Sequence, residues 1–157
     1  MPLYLIRHAK AGNRHEWEGS DWTRPLTKKG RRQALRLRER FDDIDVSKVL
    51  SSPYVRCIQT VEPIAFSHHL ALESTPVLAE DGSFGNVIEL LESVPDNTVL
   101  CSHGDVIPDT IAALFRRGME VTAPVDWRKG TTWVLHRNAD GFPYAEIWPP
   151  PSDESDE

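Results

Sequence analysis

The sequence predicts an α/β protein: a three-layer α/β/α sandwich with a mostly parallel central sheet and an antiparallel edge strand. Short apolar runs alternate with segments of helical period along the chain. The helical segments stand between consecutive runs, which is how parallel strands are connected. The last two runs are instead separated by Asn138-Ala139-Asp140-Gly141, whose turn residues make those two an antiparallel hairpin.

Leu3-Tyr4-Leu5-Ile6 is the first strand, a short apolar run bounded by charge. Residues 12–26, with Trp17 and Trp22, are irregular and too long for a plain connector, so they are expected to fold over a site. Thr27 caps a helix over 28–41. A strand over 46–50 and a helix over 54–66 follow, then a short strand over 71–74. Next come a helix over 86–94, a strand over 99–102 and a helix over 107–117. Strands over 132–136 and 144–148 close the fold.

The 157 residues suit one domain, 1–148, followed by a Pro-rich, acidic, disordered tail over 149–157. A hydrophobic fraction of 39% and a charged fraction of 27% are those of a soluble globular chain. No apolar stretch approaches about 18 residues, so no membrane span is expected. The N-terminus enters the first strand without a basic region and apolar segment, which argues against secretion. Cys57 and Cys101 read as reduced core residues, which suits a cytoplasmic location.

The net charge of −6 owes much to Asp153, Glu154, Asp156 and Glu157 in the tail. Against them, Arg24 to Arg40 carries eight Lys/Arg and one acid, Glu39. That run reads first as a solvated helix face and second as a positive rim for an anionic substrate. No nucleic-acid module is visible and the chain is not basic overall, so nucleic acid is not an expected partner. A monomer or weak homodimer is expected.

Four segments carry candidate chemistry. Arg7-His8 ends the first strand at the carboxyl edge of the sheet, where open α/β folds bind ligands. Arg offers a planar fork that matches phosphate oxygens, and His is nucleophilic when neutral near pH 7. Arg56 falls in the first turn of a helix after Ser51-Ser52-Pro53, with Thr60 one turn on along the same face. An arginine there reaches an anion that the helix dipole also favours. Ser102-His103-Gly104 brings a second histidine to the same edge, and Gly104 lets backbone approach a ligand closely. The loop Leu78-Ala79-Glu80-Asp81-Gly82 offers two carboxyls as proton donors. Each segment alone has a plain structural explanation. Together, two arginines and two histidines at strand ends make a phosphate cage. His15, His68 and His69 lack the spacing of a metal site, so neither a metal nor a cofactor is expected.

These residues resemble the histidine phosphatase superfamily. Arg7-His8-Ala9 is similar to its Arg-His-Gly signature, with Ala in the third place as in SixA-type phosphohistidine phosphatases. Arg24-Pro25-Leu26-Thr27 with Gly30, Gln33 and Ala34 resembles a second motif. Ser51-Ser52-Pro53 with Arg56 and Gln59-Thr60 resembles a third, and Ser102-His103-Gly104 a fourth. The resemblance runs from about residue 3 to residue 148. Val55-Arg56-Cys57, Val106-Ile107-Pro108-Asp109 and Arg128-Lys129-Gly130-Thr131-Thr132-Trp133 also resemble the phosphatase domain of actinobacterial MutT-type Nudix proteins, without a Nudix domain.

The resemblance implies in-line attack by His8, a phosphohistidine intermediate and hydrolysis by water. Arg7, Arg56 and His103 would hold the phosphoryl oxygens, and Glu80, or alternatively Asp81, would protonate the leaving group. Asn13, Lys10, Thr60 and Gly104 are further candidates around the bound group. The implied partner is a phosphorylated small molecule, a nucleotide or a phosphohistidine protein. A nucleotide di- or monophosphate phosphatase and a weakly catalytic phosphate-binding regulatory module are the alternatives. A mutase is disfavoured, because the insertions by which mutases retain the intermediate are missing.

Overall fold

Leu3-Tyr4-Leu5-Ile6 lies in β1 (Pro2–Arg7), whose alternate side chains enter two separate cores. The computed structural model describes residues 2–152. Leu3 and Leu5 join one core with residues of α3 (Phe84–Ser93) and α4 (Val106–Arg116). Tyr4 and Ile6 join the other with residues of α1 (Lys28–Arg40) and α2 (Val55–Ser67). A period of two in the strand thus produces three layers, with a helix pair on each face. Leu3, Leu5 and Ile6 are fully buried, and truncating any of them to Ala is expected to cost about 2–5 kcal/mol.

The other strands are β2 (Lys48–Ser51), β3 (Leu72–Ser74), β4 (Thr98–Ser102), β5 (Glu120–Val121), β6 (Thr132–Asn138) and β7 (Gly141–Trp148). They form one sheet in the order β3-β2-β4-β1-β6-β7-β5. The pairs β3/β2, β2/β4 and β4/β1 are parallel, whereas β6 runs against both β1 and β7. The β6–β7 hairpin turns at the expected place, with the Asn138 side chain accepting from Asp140 N at 2.8 Å. All six expected strands and four expected helices are present, their ends shifted by no more than three residues. The two-residue β5 and the 3-10 turns Asp21–Thr23 and Pro76–Leu78 are additions.

Register levels the carboxyl ends of the central strands. Arg7 pairs with Ser102, and Ser51 pairs with Cys101. Backbone bonds from His8 N to Ser102 O (3.1 Å) and from Ser52 N to Cys101 O (3.0 Å) extend the ladder one residue further. Residues 8, 52 and 103 therefore leave the sheet at one edge.

α1 shows how a helix is fitted to that edge. Gly30, Ala34 and Leu37 form its buried stripe, and Thr27 caps it by accepting from Gly30 N at 3.0 Å. A Cβ on Gly30 would lie 2.0 Å from Lys10 O, so only glycine lets the helix approach the loop after His8. Ala9, Ala11, Leu26 and Ala34 close a small apolar cluster at that contact. Of the basic run, Arg24 is buried in the cleft at the sheet edge, while Lys28 and Arg31 are exposed on α1.

Cys57 and Cys101 are buried free thiols. Of the expected tail, residues 149–152 lie against the body: Arg40 Nη1 donates to Pro149 O at 2.5 Å, and Pro151 is buried. Residues 153–157 lie outside the described residues. Among the described residues, no helix is long and apolar enough to cross a membrane.

Candidate active site

At the levelled edge a cleft of about 690 Å³ opens over Arg7, His8 and Gly104. Its walls include Lys10, Asn13, Arg14, Arg24, Glu80, Asp81, Asp105 and Lys129. His8 is 5% exposed at its floor. Its Nδ1 stands 2.8 Å from Ala9 O. A carbonyl only accepts, so Nδ1 carries the proton and Nε2 keeps its lone pair. Nε2 makes no hydrogen bond among the described residues. Burial, and after it the charges of His103, Arg56 and Arg7, hold the His8 pKa well below 6.5, against the opposing hydrogen bond to Ala9 O. The imidazole is therefore neutral and nucleophilic.

Arg7 is aimed by Trp127, whose carbonyl accepts from Nη1 at 2.6 Å. Its Nε is buried without a hydrogen-bond partner. Gly104 lies flat under this guanidinium: a Cβ there would meet Arg7 Cζ at 2.6 Å. Gly104 thus acts by making room for Arg7, a role that differs from direct approach of its own backbone to a ligand.

Arg56 is fully buried at the start of α2. Its Nη1 donates to Asp21 O (2.9 Å), and its Nη2 donates to Asp21 Oδ2 (3.1 Å) and Glu80 Oε1 (2.5 Å). Its Nε, like that of Arg7, is buried and unpartnered. A buried donor without an acceptor is costly, by about 1–3 kcal/mol. Two such guanidinium donors beside one histidine fit an anion with several oxygens.

His103 is 1% exposed, and its ring lies 5.5 Å from that of His8, edge to face. Nε2 stands 2.8 Å from Ser52 Oγ, Nδ1 faces Glu80 Oε1 at 3.7 Å, and Tyr54 packs edge-on at 4.7 Å. Ser52 and Tyr54 therefore orient the second histidine.

Glu80 reaches the cage, but as an acceptor. Besides Arg56 it takes a bond from Arg14 Nη2 at 3.0 Å. Its carboxylate lies where phosphoryl oxygens would meet Arg56 and His103. To serve as a proton donor it must exchange these bonds for the leaving group. Asp81 lines the same wall with φ 63°, its N donating to Asp105 Oδ2 at 2.8 Å. For a non-glycine residue this left-handed backbone is strained.

The remaining candidates divide. Thr60 is fully buried: its hydroxyl donates to Arg56 O (2.7 Å) and accepts from Ala9 N (2.9 Å). It joins the nucleophile loop to the arginine helix, and with that hydroxyl engaged it does not line the cleft. Asn13 lines the cleft while its Oδ1 accepts from His15 N at 2.8 Å, and Lys10 lines it with an exposed side chain.

Four participants were not singled out as site residues in the sequence: Asp21, Arg14, Arg24 and Lys129. Asp21 takes bonds from Arg56 and, at 2.9 Å, from Arg24 Nε, and stands 3.7 Å from Arg14. Arg24 also donates to Gly12 O. Trp22, next to Asp21, stacks on Tyr54 at 4.6 Å. Residues 12–26 thus do cover the site, through Asp21 and Trp22. The signal for Arg24 lay in the Arg24-Pro25-Leu26-Thr27 motif, whereas Asp21 has no local pattern.

Residues 3–92 match the model of the histidine phosphatase superfamily (branch 1). An 8-oxo-(d)GTP phosphatase of Mycolicibacterium smegmatis is 32% identical over 158 residues, covering 97% of this chain and 49% of the relative. The chain thus spans about half the length of that curated relative. Among solved structures, the protein histidine phosphatase SixA complexed with tungstate superposes with a TM-score of 0.76 at 19% identity, covering 100% of both chains. YhfR of Bacillus stearothermophilus gives 0.69 at 18% identity, covering 90% of this chain and 93% of its own. At such identities these likenesses concern the fold.

Proposed function

Because the chain belongs to the histidine phosphatase superfamily, we propose that it is a phosphatase in which His8 takes the phosphoryl group and passes it to water. The observation that carries this reading is the His8 ring: Nδ1–H is held by Ala9 O, and Nε2 is free at the floor of a cationic cleft. In the first step the Nε2 lone pair forms a bond to phosphorus as the bond to the leaving oxygen breaks. In the second, water attacks the phosphohistidine, inorganic phosphate departs, and His8 is neutral again.

Arg7 and Arg56 supply guanidinium donors to the non-bridging oxygens, and His103 supplies a further polar contact, where charge builds in the transition state. Once the phosphate has displaced Glu80 from Arg56, its carboxylate takes up a proton from water and passes it to an alkoxide or imidazole leaving group. Asp21, Ser52 and Thr60 hold Arg56, His103 and the nucleophile loop in place. Phosphate monoesters and protein phosphohistidine are the substrate classes this chemistry accepts. A nucleotide is the second reading, supported by the name of the mycobacterial relative and by the Trp22–Tyr54 stack beside Arg56.

The test is phosphate release from an aryl phosphate by the wild-type protein and His8→Ala. Loss of several orders of magnitude in kcat is expected. Acid quench of the wild-type protein with labelled substrate should trap label on His8. Equal release by both proteins would falsify the assignment.

A further inference from the structure

Besides Arg7, four cations line the cleft: Arg14, which is paired with Glu80, and Lys10, Arg24 and Lys129. Arg24 is held by Asp21 and Gly12 O. The ammonium groups of Lys10 and Lys129 have no hydrogen bond or ion pair among the described residues. Backbone contacts hold both residues at the mouth. Gly130 N donates to Arg7 O (3.1 Å) and His8 O (3.2 Å), so Lys129 sits on a turn bonded to the end of β1. Lys10 N donates to Gln33 Oε1 (3.0 Å), and Lys10 O accepts from Thr27 N (3.0 Å).

The charges that act most strongly on Lys129 are all positive. Burial first, and then Arg7, Arg24, Lys10 and Arg56, hold its ammonium below the ordinary lysine pKa. Arg24 and Arg56 have acidic partners, but Lys10 and Lys129 have none among the described residues, and such unpaired like charges repel one another and attract an anion. The anion of the reacting phosphoryl group is already matched by Arg7 and Arg56, and the cleft of about 690 Å³ has room for much more than that group.

We propose that Lys10, Arg24 and Lys129 form a second anion subsite next to His8, so that the substrate carries a diphosphate and loses its terminal phosphate. The inference rests on His8 as the nucleophile. His8 Nε2 bonds to the terminal phosphorus, the bridging P–O bond breaks, and its electron pair leaves with the inner phosphate. Water then cleaves the phosphohistidine, giving inorganic phosphate and the monophosphate. The leaving phosphate has a second pKa of about 6, so it departs at neutral pH without a proton from Glu80, with Lys129 and Lys10 balancing its charge. The ion-paired placement of Glu80 suits such a leaving group.

The experiment compares a nucleoside diphosphate, its monophosphate, inorganic pyrophosphate and a phosphohistidine protein as substrates for the wild-type protein, Lys129→Ala and Lys129→Arg. The wild-type protein should prefer one of the two diphosphates. Lys129→Ala should lower the ratio of kcat/KM for diphosphate over monophosphate about tenfold or more, mainly through KM, and Lys129→Arg should restore most of it. Preference for the monophosphate or the phosphoprotein, or an unchanged ratio in Lys129→Ala, overturns the subsite. Calorimetry with imidodiphosphate and inorganic phosphate decides the matter independently of turnover. Tighter binding of imidodiphosphate that is lost in Lys129→Ala supports the subsite, and equal affinities reject it. Absence of His8-dependent turnover on every substrate counts instead against the nucleophile.

Discussion

His8 combines two demands that pull in opposite directions: a buried position and the nucleophilic role proposed for it. Burial, seconded by neighbouring positive charge, favours the neutral ring and so keeps the nucleophile active below the ordinary histidine pKa. The same shift has a stability consequence whose sign follows from proton counting. Below pH 6.5 the unfolded chain binds a proton at this position while the folded chain does not, so acid favours unfolding until the pH reaches the folded pKa. His8→Asn removes the titration. Urea unfolding at about pH 8 and about pH 5 should show the wild-type protein losing stability relative to this variant on acidification. A stability difference that stays constant across that interval would contradict the assigned protonation state. Arg7, His8, Arg56, His103 and Glu80 were legible because each closes or follows a short patterned segment. Asp21 and Arg14 were not, because their partners Arg56 and Glu80 lie 35 and 66 residues away, across loops without periodic pattern.

Elements are positioned by contacts as small as one missing Cβ. α1 reaches the nucleophile loop because Gly30 has no side chain to collide with Lys10 O. Gly30→Ala should therefore cost about 1–3 kcal/mol through overpacking, despite the better helix propensity of alanine. It should also lower kcat by shifting the loop that carries His8. Thermal unfolding together with aryl phosphate turnover measures both effects, and a gain in stability would refute this account of the contact. Helix and strand identities were readable because each long element has a period and a boundary residue, as with Thr27 before α1. The short elements were not. β5 has two residues, too few for any alternation, and the 3-10 turn Asp21–Thr23 depends on the tertiary bonds of Asp21. The place of β6 within the sheet, against β1, is likewise a matter of long-range pairing that a hairpin turn alone does not specify.

Across the whole molecule, charge is sorted by location. The chain carries −6 overall, while the cleft walls hold five Lys/Arg against three acids. An acidic protein thus presents a locally positive mouth, which draws anionic substrates inward at low ionic strength. Such a mouth would also retain inorganic phosphate, its own product, and slow the next cycle. The Glu80 carboxylate bears on that difficulty. Tethered 2.5 Å from Arg56 Nη2, it competes with product for the guanidinium and replaces it as it departs, restoring a second carboxylate beside Asp21. Glu80→Gln weakens this competitor, and inorganic phosphate should then inhibit about tenfold more strongly. Competitive inhibition measured for both proteins checks this, and an unchanged inhibition constant would argue against it. In the proposed cycle the acid loop works as an ejector, shortening the residence time of product and letting a strongly cationic pocket keep turning over.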